Sequence, residues 1–276
     1  MTTVPDITLN NGVRIPQLGF GVWQVDDAEV VEPVRVALET GYRSIDTAAA
    51  YGNERGVGEA IRASGLERSE VFVTSKLWNS DQGYDTTMRA FDATMERLGL
   101  DVLDLYLIHW PLPERGTYVE TWKALERLYV DGRVRAIGVS NFTVDNLRRI
   151  MDEGGIVPAV NQIELHPNLV QTELRDFHAR NGIATEAWSP LGQGHLLDDP
   201  VIGRIAEAHG HTPAQVILRW HLQLGNIAIP KSVTPERIRA NFNVFGFELS
   251  EAEMGEISAL DAGRRFGPDP VTFNGV

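Results

Sequence analysis

Eight short apolar runs, separated by longer amphipathic stretches, set the terms on which this chain can fold. They lie at residues 18–22, 44–47, 71–75, 103–108, 134–139, 159–163, 183–187 and 227–229. Each is too short for a stable helix, and several are rich in Val and Ile, as strands buried on both faces are. Helical periodicity fills the intervals 28–40, 53–64, 86–98, 117–131, 144–153 and 173–181. Gly99, Gly132, Gly154 and Gly182 follow such stretches, where a residue in the left-handed region would end a helix. Thr212-Pro213 and Thr234-Pro235 read as an N-cap with a first-turn proline and add two helix starts. Ahead of the alternation, residues 7–9 and 13–15 flank Asn10-Asn11-Gly12 and predict a small β-hairpin.

Strands alternating with helices over 276 residues predict one (β/α)8 barrel domain spanning residues 1–276. A doubly wound sheet is the competing reading. Against it, no G-x-G-x-x-G follows any strand: Gly19-Phe-Gly21 and Gly192-Gln-Gly194 are only pairs. The net charge of −13 disfavours nucleic acid and anionic membranes as partners. With no cysteine, thiolate catalysis, disulfides and Cys-ligated zinc are excluded. The N-terminal MTTVPDITLNNGVRIPQ lacks a basic start and apolar run, and no stretch of 18 apolar residues exists, so a cytoplasmic setting is expected.

In such a barrel, functional side chains sit at the C-terminal ends of the strands. Those ends carry Asp46 with Tyr51 just beyond, Lys76 and Trp78, His109 and Trp110, Ser140 and Asn141, Gln162 with Glu164 and His166, Trp188 and Ser189, and Lys231 and Ser232. Four of them, Asp46, Tyr51, Lys76 and His109, are ionisable groups of different kinds. An ammonium beside a phenol favours the phenolate and lowers its pKa, a carboxylate would hold that ammonium, and a histidine could orient a substrate oxygen. Together they make a general acid suited to a carbonyl that accepts hydride at carbon. Taken singly, each has a plainer reading: Asp46 as a cap, Lys76 and Tyr51 as rim groups, His109 as a packed core histidine. Convergence on one mouth is what raises the chemistry, and convergence rests on the barrel.

Three ordered segments resemble the signatures of the aldo-keto reductase family. They are Gly41-Tyr-Arg-Ser-Ile-Asp46-Thr-Ala-Ala-Ala-Tyr51-Gly-Asn-Glu54-Arg-Gly-Val-Gly58, Arg135-Ala-Ile-Gly-Val-Ser-Asn141-Phe142, and Ile229-Pro-Lys231-Ser232-Val-Thr-Pro-Glu-Arg237-Ile-Arg-Ala-Asn241. They span most of the chain, and the likeness is greatest to short bacterial members such as the 2,5-diketo-D-gluconate reductases. The resemblance implies a (β/α)8 barrel, NADP(H) bound without a Rossmann domain, and reduction of aldehydes, ketones or keto-sugars by a monomer. It implies the tetrad Asp46, Tyr51, Lys76 and His109, with Tyr51 as proton donor, and no metal. Ser140, Asn141 and Gln162 would hold the nicotinamide carboxamide, and Trp188 would stack on the ring. Gly21, Trp23, Ser189 and Leu191 would line the cofactor. Lys231, Ser232 and Arg237 would bind the 2′-phosphate, and Asn241 would meet the adenine. Many members carry Glu or Gln where this chain has Ala240. Trp23, Trp78 and Trp110 would line the substrate pocket, with a short loop after His109 and a short tail after Asp261 predicting an open one.

Two other classes of function compete. A cofactor-sensing regulatory subunit would use the same barrel without chemistry. A metal-dependent hydrolase would need clustered ligands at several strand ends, where the candidates are His109, His166 and the pair His209 and His211.

Overall fold

The computed structural model describes residues 4–275; residues 1–3, the beginning of the segment read above as lacking a leader, and residue 276 lie outside the described residues. Strands β1 (Asp6–Thr8) and β2 (Arg14–Pro16) form the expected antiparallel hairpin, with Ile7 opposite Ile15. Its turn closes through Gly12, whose φ of 84° needs no side chain. Then come β3 (Phe20–Gly21), α1 (Val31–Thr40), β4 (Ser44–Asp46), α2 (Glu54–Ala63), β5 (Phe72–Leu77), α3 (Tyr84–Leu98), β6 (Leu103–Ile108) and α4 (Tyr118–Val130). They are followed by β7 (Val134–Ser140), α5 (Val144–Glu153), β8 (Val160–Glu164), α6 (Thr172–Asn181), β9 (Ala184–Trp188), α7 (Pro200–His209), α8 (Pro213–Gln223), β10 (Ile227–Ala228), α9 (Pro235–Phe242) and α10 (Glu251–Ser258).

Strands β3 to β10 pair in chain order, all parallel. The sheet closes on itself at the β3–β10 seam: Leu18 bridges Ala228, and the Gly19 amide donates to the Ala228 carbonyl at 2.9 Å. This is the (β/α)8 barrel, and closure leaves no sheet edge. The hairpin plugs its N-terminal end. Leu9 and Ile15 join Phe72, Leu105, Leu107, Ala159 and Val160 in one apolar cluster, and Asn10 and Asn11 donate to the Pro158 and Arg135 carbonyls. The opposite rim, where the strands end, is therefore the open one.

Periodicity placed β6 and α5 at their observed bounds and most other elements within three residues. It did not find α7 or α10, which pack with α8 in a second apolar cluster through Ile202, Ile205, Trp220 and Ile257. One glycine differs from expectation. Gly99, Gly132 and Gly182 are left-handed, but Gly154 has φ −104°. Its requirement is space: a Cβ there would sit 2.6 Å from the Ile150 carbonyl oxygen and 2.9 Å from Trp122.

Gly58 shows the same constraint in α2, where a Cβ would lie 2.0 Å from the Leu98 carbonyl oxygen at the end of α3. Gly58→Ala should destabilise the protein by about 1–3 kcal/mol through overpacking. Gly203→Ala, inside α7 with nothing within 4 Å, should instead stabilise by about 0.5–1 kcal/mol. Urea unfolding of the two variants should show shifts of opposite sign; a Gly58→Ala protein no less stable than wild type would mean that α2 and α3 do not depend on this approach.

Candidate active site

The end of β4 and the middle of β5 lie side by side, Asp46 in register with Thr74. Lys76, two residues on, is wholly buried. Its ammonium donates to Asp46 Oδ1 at 2.6 Å, to the Thr47 carbonyl at 2.9 Å and to the Tyr51 hydroxyl at 3.3 Å. Tyr51 reaches this point because the chain leaves β4 in a short helical turn (Ala49–Tyr51) that Gly52 ends at φ 68°. Buried Asn53 pins the turn by donating to the carbonyls of Val22 and Val25, both at 2.9 Å. His109 follows β6 directly and sits edge-on to Tyr51, ring centroids 5.8 Å apart.

Electrostatics fix the protonation states. Burial lowers the Lys76 value, but Asp46 and Tyr51 outweigh it and the net direction is up, so the ammonium persists. Burial, then the Lys76 charge, holds His109 well below the usual histidine range, so the imidazole is neutral at pH 7. Burial pushes the Tyr51 hydroxyl up, Lys76 pulls it down, and Asp46 adds an upward push; the net direction is up. This corrects the expectation that Lys76 makes Tyr51 more acidic than free tyrosine. The lysine offsets only part of the cost of burying a phenolate, and Tyr51 keeps its proton at neutral pH.

The substrate side differs from the open pocket expected. Trp23 is 44% exposed, but Trp110 is buried against Phe273, ring centroids 4.4 Å apart. The tail after Asp261 crosses the mouth. The Phe266 and Gly267 amides donate to Glu164 Oε1 at 2.6 and 3.1 Å, and Asn79 donates to the Gly275 carbonyl at 2.7 Å. Trp78 lies edge-on to His109 at 5.2 Å.

On the other side, Asn141 takes the Trp188 indole N–H on Oδ1 at 2.8 Å and donates to the His109 carbonyl and Ser140 Oγ. Its amide thus fixes Trp188, a link the sequence did not show. Buried Gln162 donates from Nε2 to Asp46 Oδ2 at 2.8 Å and to Glu186 Oε2 at 2.9 Å. Glu186 is fully buried and was missed by sequence reasoning. Its signal was a lone carboxylate inside the apolar run 183–187.

Gly21 lies at the barrel seam, where a Cβ would sit 3.0 Å from the Ile229 carbonyl oxygen. Ser189 has φ 46° just beyond β9, and Leu191 follows in the same loop. Lys231 and Arg237 are exposed at the start of α9, whose N-cap Thr234 makes no side-chain cap bond. Ser232 is buried and accepts from the Thr234 amide at 3.1 Å, and Asn241 is buried later in the helix beside half-buried Ala240. His166 is wholly buried against Glu164 at 3.1 Å, and among the described residues no group of three or more His, Asp or Glu is placed to hold a metal.

A family model described as the aldo/keto reductase family matches residues 17–262. The chain belongs to the aldo/keto reductase family. It is 62% identical over 270 residues to an aldo-keto reductase of Mycolicibacterium smegmatis strain mc(2)155, covering 98% of each chain. It is 54% identical over 265 residues to the glyoxal reductase of Bacillus subtilis strain 168, covering 96% of this chain and 95% of that one. A solved structure of a Gox0644 variant in complex with NADPH superposes with a TM-score of 0.95 at 51% identity, covering 99% of both chains. Family membership makes the chain an oxidoreductase, and it gives the convergence of Asp46, Tyr51, Lys76 and His109 a chemical setting.

The ion pair is also a structural liability. Lys76→Met leaves the Asp46 carboxylate buried with Gln162 as its remaining side-chain partner, and should cost about 3–5 kcal/mol. Adding Asp46→Asn to that variant should recover part of the loss. Chemical denaturation of the two single variants and the double variant measures the coupling, and strictly additive losses would mean that the pair carries none.

Proposed function

We propose that this protein reduces the carbonyl group of a small aldehyde or ketone to an alcohol with NADPH, Tyr51 supplying the proton. One observation carries the reading: the Lys76 ammonium touches both the Asp46 carboxylate and the Tyr51 hydroxyl beside a neutral His109. Tyr51 is protonated at neutral pH and can donate to a carbonyl oxygen. Lys76 then lies 3.3 Å from the oxygen that has lost its proton, so the charge left on Tyr51 is met by one already in place. His109 can offer an N–H to the same carbonyl oxygen and orient it. Bound NADPH would supply hydride to the carbonyl carbon.

The cofactor residues fit that assignment. The start of α9 leaves backbone amides without a side-chain cap, beside Lys231, Ser232 and Arg237, an arrangement suited to a phosphate. The Trp188 ring is fixed by Asn141, which supports stacking against a nicotinamide. NADPH in the related Gox0644 complex supports the same cofactor here. The name of the Bacillus relative supports placing small dicarbonyl aldehydes such as glyoxal first in a substrate panel, with keto-sugars behind them. A monomer acting in the cytoplasm on a small-molecule partner completes the proposal, and the net charge of −13 supports no role for nucleic acid.

Tyr51→Phe keeps the ring and removes the proton. Carbonyl reduction followed by NADPH absorbance should fall on the order of 10²-fold or more, with NADPH binding retained. Near wild-type turnover would remove Tyr51 from the role. Arg237→Ala should weaken NADPH at least about tenfold, since each charge-assisted bond to a phosphate is worth roughly 1.5–3 kcal/mol. NADH, which lacks the 2′-phosphate, should be almost unaffected. Fluorescence titration of both cofactors decides it, and equal losses would assign Arg237 to supporting the loop.

A further inference from the structure

Beneath the tetrad lies a second buried carboxylate that the mechanism above does not use. Glu186, in β9, is fully buried. Its Oε2 accepts from Gln162 Nε2 at 2.9 Å, and the same nitrogen donates to Asp46 Oδ2 at 2.8 Å. Its Oε1 is buried with no protein partner. One amide group thus ties two carboxylates together across the barrel interior, and among the described residues the one cation beside them is Lys76, already engaged by Asp46. Two carboxylates and one ammonium in a water-poor interior leave one negative charge unmatched unless a proton is held.

We propose that Glu186 is a positioning residue for this site: it holds a proton in the active form, and its ionisation makes Tyr51 a poorer proton donor through the Gln162–Asp46–Lys76 chain. The proposal rests on the reading of Tyr51 as the acid. The groups facing Glu186 are Asp46 from β4, Lys76 from β5 and Gln162 from β8; Ile227, paired with it from β10, carries no charge. Burial, then the Asp46 charge, pushes the Glu186 carboxyl up to about 8, against the Gln162 bond and Lys76, which pull it down. In turn, a charge on Glu186 raises the values of both Tyr51 and Lys76. Above about pH 8, therefore, Tyr51 holds its proton more tightly and reduction should slow.

Glu186→Gln keeps the size and the acceptor for Gln162 but cannot ionise. Wild-type kcat/KM for a small aldehyde with saturating NADPH should fall on the alkaline side of about pH 8. In Glu186→Gln that limb should vanish or move up by at least about one pH unit, a tenfold change in proton affinity. A merely structural glutamate would change the height of the profile and leave its shape.

A second measurement reads the proton without activity. The folded value lies above the unfolded carboxylate range, so the folded protein holds a proton that the unfolded chain has released. That stability is fully present at acid pH and is lost as pH rises through about 8. Three buried histidines do not interfere: burial holds His178 and His221 down to about 3 and His109 well below its ordinary value, so the contribution of these three falls away only as pH drops below about 6.5. Between about pH 6.5 and 8, wild-type Tm should therefore decline and the Glu186→Gln Tm should stay flatter. Should the variant not fold, the infrared carbonyl band of a protonated carboxylic acid in the wild-type protein should disappear across the same range.

Superimposable pH–rate profiles, or no band and no difference in Tm slope, would overturn the proposal. A wild-type protein that reduces no carbonyl while the Tm slope and the band behave as expected would sink the functional reading and the catalytic half of this one. The proton on Glu186 would stand.

Discussion

A lysine ammonium buried at the end of a strand is the constraint on which this mouth depends. An ammonium has three hydrogens and no lone pair, and burying it costs several kcal/mol unless all three are taken up. At Lys76 they are: by the Asp46 carboxylate, by the Thr47 carbonyl and by the Tyr51 hydroxyl. Two of those acceptors are consecutive residues, Asp46 at the end of β4 and Thr47 just past it. The third lies on the turn that follows, which Gly52 closes and Asn53 pins. The same demand that makes Lys76 tolerable in the core thus delivers a phenol to the mouth with a cation beside it. The bonds that make buried Lys76 stable are the ones that hold the Tyr51 hydroxyl at the mouth.

The barrel was legible because its signal is repeated eight times and because most residues of the runs are buried. The convergence of Asp46, Tyr51, Lys76 and His109 was legible at the level of strand ends, since parallel closure sends all those ends to one rim. What the sequence hid was contact between distant elements. Glu186 carries no motif, and its partner Gln162 is on a different strand. Asn141 shows no sign in sequence of bonding Trp188, 47 residues on. The tail was misread by counting its residues and not its reach. Residues 262–275 can extend roughly 45 Å at about 3.3 Å per residue, ample to cross the mouth from α10 to Trp110 and Asn79. The direction of the Tyr51 shift was misjudged for a related reason: the sequence shows which charges are near but not how much water has been removed.

Backbone strain repeats the asymmetry of the two barrel ends. Among the described residues, six that are not glycine have positive φ: Gln24, Leu112, Asn141, Gln171, Ser189 and Gln193. All lie in loops that follow the C-terminal end of a strand. Such conformations cost on the order of 1–3 kcal/mol each and persist only where surrounding bonds over-determine them. Asn141 shows the compensation, since its side chain makes three hydrogen bonds to Trp188, His109 and Ser140. At the plugged end, positive φ among the described residues falls only on glycines, as at Gly12, Gly41, Gly99 and Gly132. Strain has accumulated where side chains must be aimed, and not where the barrel is merely sealed.

The tail completes the same logic from outside. Glu164, wholly buried at the end of β8, takes two successive backbone amides of the tail and the Nε2 edge of His166 on one oxygen. A carboxylate so placed cannot be solvated by water, so the tail amides serve in its place. The attachment also fixes Gly267 against Trp188, where a Cβ would approach the indole to 2.4 Å and only glycine fits. Trp188 is therefore held from two sides, by Asn141 at its nitrogen and by the tail along its ring. Its neighbour across the sheet in register is Glu164 itself. The residue that anchors the tail and the ring that the tail steadies thus sit side by side at the rim. A change in how the tail lies would be felt first at that ring.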